Sequence, residues 1–323
     1  MNRILALVAL LLTAAVLGGC GDALDARADR REAVWMEAHP PLGQLIEVEG
    51  RQIHVYVTGR ARGTAPDVVL LHGSNGNLRD FTFDLTDRLA GEFRVIAVDR
   101  PGLGFSDSWG AADSDPAEQA RVLRLAVAQL GVRRPIVLGH SYGGAVAMAW
   151  ALQDQPHTAA VVLISGATHP WGGDLTPWYR FNRTRLAPVA LRIIAAFAPE
   201  SAAFDAVHDI FEPDPVPEGY AEYFGLGLSM RRESQADNAR QMNALHGYLE
   251  QMQPHYTELH LPIEIVQGSE DPVIDPDIHA RALVAEVPSA RLTVVEGVGH
   301  MVHHAAPEAV VAAVRRAARR AGY

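Results

Sequence analysis

The chain has 323 residues, 48% of them apolar and 20% charged, enough to bury one large α/β domain with an insertion or two small domains. A formal net charge of −10 argues against non-specific nucleic-acid binding, which needs clustered positive charge. The single cysteine excludes an internal disulfide and a zinc site of cysteine type.

Taken in order, the chain opens on Arg3 and an almost wholly apolar run, Ile4 to Leu17, broken only by Thr13 and closed by Leu17-Gly18-Gly19-Cys20. The run is short for a membrane span, which needs ~20 residues, and has the form of a signal-peptide core. Its ending resembles the lipobox of bacterial lipoproteins, and the one cysteine stands where that resemblance puts the lipidated residue. The resemblance implies residues 1–20 as signal, Cys20 as lipidation site, and a chain anchored to a membrane of the bacterial cell envelope. A periplasmic or secreted form is the alternative. Residues 21–42, charged and ending in Pro40-Pro41, read as a tether with some helix whose alternating Asp and Arg form a solvated face.

From residue 43 the pattern becomes that of a folded core. Gln44–Glu49 and Gln52–Val57 alternate about Gly50-Arg51, a hairpin signal. Asp67–Leu71 is a continuous apolar strand leading into His72-Gly73. A helix is expected over about 78–90, a strand over 93–99, and a helix over 116–130 after Asp115-Pro116. Ile136–Leu138 then enters Gly139-His140-Ser141-Tyr142-Gly143, and a helix leaves it. This strand–turn–helix context suits a nucleophile elbow, with glycine where a side chain would strike neighbouring backbone. A strand at 159–164 closes the first part of the core, residues 43–167. Buried strands alternating with helices imply a mostly parallel sheet covered on both faces, with ligands at the carboxyl ends of the strands.

That rhythm stops at about 167. Residues 168–258 are helical stretches broken by prolines, and they hold twelve of the 22 Phe, Trp and Tyr. They read as a helical lid whose aromatics, among them Trp171, Trp178, Tyr179, Phe181, Tyr220, Tyr223 and Phe224, partly pack the lid and partly line an apolar pocket. The core resumes over 259–323 with a strand at 262–268, the loop Ser269-Glu270-Asp271, a helix over about 276–286, a strand at 291–296, Gly297-Val298-Gly299-His300, and a terminal helix from about 307. Arg315, Arg316, Arg319 and Arg320 are expected to offset that helix's dipole and face solvent.

The order Ser141, Asp271, His300, with His72-Gly73 after the third strand, Asp99-Arg100-Pro101-Gly102-Leu103-Gly104-Phe105-Ser106 after the fourth and Gly299-His300 after the eighth, resembles the α/β-hydrolase family over roughly residues 44–320. The resemblance implies Ser141 as nucleophile, His300 as general base and Asp271 as its orienting carboxylate. Backbone N–H groups of Ser74 and Tyr142 would form the oxyanion hole. Glu270 and Asp275 are local rivals of Asp271. His303 and His304, rivals of His300, are expected to be solvated or capping. His72 and His140 are expected to support their loops, and Asp99 to order Arg100–Ser106.

A serine at the elbow argues against the dehalogenases and epoxide hydrolases of this fold, which use aspartate there. The expected reaction is carboxylic-ester hydrolysis of a small molecule with a moderately apolar acyl group, needing no metal or organic cofactor. Alternatives are amide or peptide hydrolysis and hydrolytic C–C cleavage, to whose enzymes Leu71-His72-Gly73-Ser74 is similar. A non-catalytic binding protein on the same fold is the alternative of a different class.

Overall fold

The computed structural model describes residues 21–172, 177–199 and 201–323. The signal-like segment and Cys20 lie outside the described residues. Eight strands form one sheet: β1 Gln44–Val48, β2 Arg51–Gly59, β3 Asp67–Leu71, β4 Arg94–Val98, β5 Ile136–His140, β6 Ala160–Ile164, β7 Ile263–Gly268 and β8 Ala290–Val295. Their spatial order is β1-β2-β4-β3-β5-β6-β7-β8. β1/β2 and β2/β4 pair antiparallel, and every pair from β4/β3 onward is parallel.

The helices of eleven residues or more are α1 Gly21–Ala38, α2 Pro116–Gln129, α3 Tyr142–Gln153, α4 Ala187–Phe197, α5 Ser201–Phe211, α6 Arg232–Met252 and α7 Pro307–Arg320. α2 starts as its sequence dictates: Asp115 accepts from the Ala117 N–H at 2.8 Å and Pro116 takes the first helical position.

The strands read as unbroken apolar runs because the sheet is covered on both sides. Val69, Leu71, Val137, Val161 and Leu163 join a core with α2 and α3. Their neighbours Val68, Leu70, Leu138, Val162 and Ile164 join a second core with α7 and the short helix Leu85–Ala90. The two-residue period of a strand thus divides each run between two cores. The helix expected over 78–90 is two short ones, Arg79–Thr82 and Leu85–Ala90. The one over 276–286 is a wide turn, Asp277–Arg281, running into Ala282–Glu286.

Three features depart from the sequence-based expectations. Residues 21–42 are helical over Gly21–Ala38, and that helix is packed along the insertion. Ala28 is buried against Ala195 and Ala196, and Trp35 against Ala198 and Met230. The Arg27 Nε donates to the Ala196 carbonyl at 2.8 Å, and Arg31 donates to the carbonyls of Ala195 and Ala198 at 2.9 and 2.8 Å, closing the end of α4. Asp25, Asp29 and Glu32 converge on Arg232. The charges read as a solvated face are therefore largely partnered. Second, Arg316 and Arg320 turn inward onto Glu264 of β7, at 2.8 and 2.7 Å. Third, the His303 ring is fully buried. Among the described residues no helix is long and apolar enough to cross a membrane.

Between β6 and β7 the chain inserts α4, α5, α6 and the shorter helices Pro177–Phe181, Tyr220–Phe224 and Leu226–Met230. Tyr220, Phe224 and Phe211 pack with one another, so these aromatics serve as core.

Candidate active site

The residues singled out from the sequence gather at the carboxyl ends of β3, β5, β7 and β8. Ser141 follows the last residue of β5 and precedes the first of α3, with φ 52° and ψ −119°. A non-glycine residue there stores on the order of 1–3 kcal/mol of strain, and the surroundings hold it in place. The Ser141 N–H donates to the Ile164 carbonyl at 3.1 Å. Its carbonyl accepts from Gly144 and Ala167 at 2.9 and 3.0 Å. A Cβ on Gly139 would overlap the Gly143 carbonyl, and one on Gly143 the Leu71 carbonyl, so both flanking glycines are required by close approach of backbone.

His300 and Asp271 are brought together directly. The ring Nδ1 lies 2.9 and 3.1 Å from the two carboxylate oxygens, with both side chains buried. Asp271 also accepts from the N–H groups of Val273 and Ile274, each at 2.9 Å, and from the Gln267 side chain at 2.9 Å. Burial alone would raise its carboxyl. The hydrogen bond and charge of His300, with the two N–H groups, outweigh this and hold it below the ordinary carboxylate value. An ionised carboxylate only accepts, so Nδ1 of His300 donates to it, which leaves Nε2 as the ring nitrogen not engaged by Asp271. The rivals take other parts: Asp275 accepts from the Asp277 N–H at 2.8 Å as a turn residue.

His140, which precedes Ser141 in the chain, links the elbow to His300. A Cβ on Gly73 would touch Ser141 Cβ on one side and the His140 ring on the other. The His140 ring lies 4.8 Å from that of His300, and its Nε2 donates to the His300 carbonyl at 3.3 Å. Among the described residues the Ser141 hydroxyl makes no hydrogen bond; in unliganded sites such contacts are often long and tighten around substrate.

The two expected anion-binding groups belong to the residue after the serine and to the loop after β3. Tyr142 opens α3, whose N-terminal backbone dipoles favour negative charge. Ser74 follows His72-Gly73 at the end of β3. Among the described residues neither backbone N–H donates to a protein acceptor. The loop behind Ser74 is gripped by Arg100, which is fully buried and, among the described residues, has no carboxylate partner. Its guanidinium donates to the carbonyls of His72 and Gly73 at 2.8 and 2.9 Å, and to the side-chain oxygens of Gln119 and Gln241, both at 2.9 Å. It lies over the Tyr142 ring at 4.3 Å. Burial lowers the Arg100 guanidinium to about 10, which still leaves it charged at neutral pH. Burial, with Arg100 beside it, lowers His72 to about 4. Its Nε2 accepts from the Arg100 N–H at 3.0 Å, so His72 is a neutral loop support. Asp99 accepts from the N–H groups of Leu78 and Phe105 at 2.6 and 2.7 Å and from His54 at 2.6 Å, which fixes the Arg100–Ser106 loop.

Sequence reasoning misplaced His303 and His304 and overlooked Asp80. Asp80 is buried, and its oxygens accept from His303 at 3.1 Å, His304 at 2.9 Å and the Tyr220 hydroxyl at 2.8 Å. Burial would raise the carboxyl, and His303 and His304 outweigh it, holding the group well below its ordinary value. Asp80, His303 and His304 are the types and distances a metal would use. The carboxylate is already satisfied by donors from inside the cluster, so the hydrogen-bonded reading accounts for it. The cluster backs onto His140, whose ring lies 4.5 Å from that of His303. Burial, with His303 and His300 nearby, holds His140 neutral.

The insertion supplies groups that no motif announced. Asn238 of α6 accepts from the Ser74 hydroxyl at 2.9 Å and from the Asn75 N–H at 2.7 Å. The Tyr179 hydroxyl stands 3.3 Å from both Ser74 Oγ and Asn75 Nδ2.

The model of the alpha/beta hydrolase family matches residues 68–313. An uncharacterised protein of Mycobacterium tuberculosis is 28% identical over 282 residues, 82% of this chain and 79% of the relative. A 2-hydroxy-6-oxononadienedioate/2-hydroxy-6-oxononatrienedioate hydrolase of Klebsiella pneumoniae is 24% identical over 262 residues, 79% of this chain and 87% of the relative. The structure of a thermophilic esterase from Thermogutta terrifontis superposes with a TM-score of 0.68 at 23% identity, covering 87% of this chain and 99% of that one. At that identity the likeness is one of fold.

Proposed function

Because the chain belongs to the alpha/beta hydrolase family, we propose that it is a serine hydrolase that cleaves a carboxylic ester through an acyl-enzyme. The observation that carries the reading is the buried His300–Asp271 pair together with a serine held at positive φ at the end of β5. In this reading Nε2 of His300 takes the Ser141 hydroxyl proton as the oxygen attacks the ester carbonyl. The carbonyl oxygen becomes an oxyanion facing the N–H groups of Ser74 and Tyr142. Collapse of the tetrahedral intermediate expels the alcohol, which receives the proton from His300. Water, deprotonated by the same imidazole, then releases the acid and restores Ser141. Asp271 stabilises the imidazolium formed on the way. The insertion acts as a lid, and its aromatic content fits a moderately apolar acyl group. Cys20 as a lipid-bearing residue, and hence anchoring in the cell envelope, is part of the same proposal. Incorporation of labelled palmitate by the full chain and its loss in Cys20→Ser test it.

The test of the reaction is turnover of p-nitrophenyl esters, acetate through palmitate, by a form beginning at residue 21. A clear chain-length optimum is expected, with a loss of at least about a thousandfold in Ser141→Ala. Turnover unchanged in that variant would refute the reading. The relative named as a dienedioate hydrolase favours a second reading, hydrolytic C–C cleavage of a vinylogous diketone by the same serine. Ser141-dependent turnover of such a ring-fission product, with none of any ester, would select it.

A further inference from the structure

We propose that Asn238 of α6 is a positioning residue for the oxyanion loop, so that the helical insertion sets the aim of an anion-binding donor far away in sequence. The proposal rests on the ester-hydrolase reading of Ser141.

The geometry begins with the peptide between Gly73 and Ser74. In a trans peptide the carbonyl and the following N–H point in opposite directions. Whatever fixes the Gly73 carbonyl therefore aims the Ser74 N–H. On the core side that carbonyl is held by Arg100 at 2.9 Å and by His72 Nδ1 at 3.0 Å. On the other side the chain turns sharply, because Asn75 sits in the left-handed region at φ 53°. The Gly76 N–H closes this turn on the Gly73 carbonyl at 3.3 Å, and among the described residues every group bonded to Asn75 itself comes from the insertion. The Asn75 N–H donates to Asn238, its carbonyl accepts from Ser229 at 2.6 Å, and its side-chain oxygen accepts from Gln235 at 3.3 Å.

Asn238 is the central member. A backbone N–H can only donate, so the atom 2.7 Å from it is the side-chain oxygen, and the Ser74 hydroxyl 2.9 Å away donates to the same oxygen. One buried acceptor thus ties down two successive residues of the loop, one of them the residue to which the ester reading assigns an oxyanion donor. It also keeps the Ser74 hydroxyl engaged. The same helix contributes Gln241, which braces Arg100 from the other end at 2.9 Å. α6 thus acts directly on Ser74 and Asn75, and on the Gly73 carbonyl through Arg100.

The test measures ester turnover and inhibition by an aryl boronic acid, which forms a tetrahedral adduct on the serine. Asn238→Ala is expected to lower kcat by about tenfold to a hundredfold, part of the cost of losing an oxyanion donor outright, with KM within about threefold. The boronate inhibition constant should rise by the same factor as kcat falls. Asn238→Asp, which keeps an acceptor oxygen in place, should recover most of the loss. If the alanine variant does not fold, Asn238→Gln carries the test. Its carbonyl sits on an arm one methylene longer, so kcat and boronate affinity should fall together. Either variant, folded and with kcat within twofold of wild type while Ser141→Ala is inactive, overturns the positioning role and leaves the ester reading standing. Turnover that does not depend on Ser141 in the wild-type background overturns both.

Discussion

Glu264 places a carboxylate inside β7, a strand buried at every position. It is 1% exposed, yet two guanidiniums one helical turn apart on α7 reach it, Arg316 at 2.8 Å and Arg320 at 2.7 Å. Arg316 also donates to Thr293 Oγ1 at 2.9 Å and Arg320 to the Ile263 carbonyl at 3.2 Å, so few donors are idle. Such a triad fixes the angle of the last helix against the sheet more than it adds net stability, because desolvation offsets much of the attraction. Removing the carboxylate alone leaves two cations against an apolar strand. Glu264→Ala is expected to destabilise the fold by about 3 kcal/mol, read as a lower urea midpoint. Glu264→Gln, which still accepts hydrogen bonds, should cost less. The sequence displayed Glu264 as an interruption in an apolar run and displayed the arginines as a basic helix end. That they answer one another is a property of the folded chain, since Arg316 is 52 residues away. Ser141, by contrast, was legible because its requirements are local: two glycines, a strand before and a helix after.

At the scale of elements, the strands were legible within a residue or two, since burial on both faces imposes continuous apolar runs. The helices of the insertion were harder to place, as prolines and short amphipathic stretches do not say where they dock. α1 shows why. Its carboxylates and arginines look like a solvated face in isolation and become partners only once α4 and α6 lie beside them. Arg232 is the clasp, meeting Asp25 and Glu32 at 3.2 and 2.9 Å and Asp29 as well. These groups are partly exposed, so the network is worth about 1 kcal/mol and is screened by salt. Arg232→Ala should lower the thermal midpoint by a few degrees at low salt, and the gap from wild type should narrow at 1 M salt. A gap independent of salt would assign the contribution of α1 to Ala28 and Trp35 packing instead.

Across the whole molecule, several histidines are kept neutral by burial. His72 and His279 are both lowered from 6.5 to about 4, and His140 and His303 are shifted in the same direction. A histidine whose folded value lies below its unfolded one adds stability that is fully present above the unfolded value. That stability is lost as pH falls through the interval between the two. For His72 and His279 the interval is 6.5 down to 4, and each contributes up to about 3 kcal/mol. The urea midpoint is therefore expected to drop steeply between pH 7 and pH 4.5, well before the depressed carboxyls of Asp80, Asp99 and Asp271 take up protons. An unchanged midpoint across that range would show that these rings already carry charge in the fold. None of this was visible in the chain as written. A histidine next to a helix start reads as polar, and only the packing of Asp80 and Tyr220 against His304, and of Phe81 against His303, makes an interior of it.

A boundary drawn from the sheet would begin the molecule at Gln44, but the buried Ala28 and Trp35 move it back into α1. The Trp35 ring lies so close over Gly227 that no side chain would fit there. A chain shortened to its first strand would keep every strand and every residue of the candidate site. It would also bare a seam of Ala195, Ala196, Ala198 and Met230 and leave the last carbonyls of α4 to water. Such a fragment would be a sticky one, prone to pairing with its own copies along that seam. For this fold the smallest self-sufficient module is thus longer at its front than the sheet it is named for.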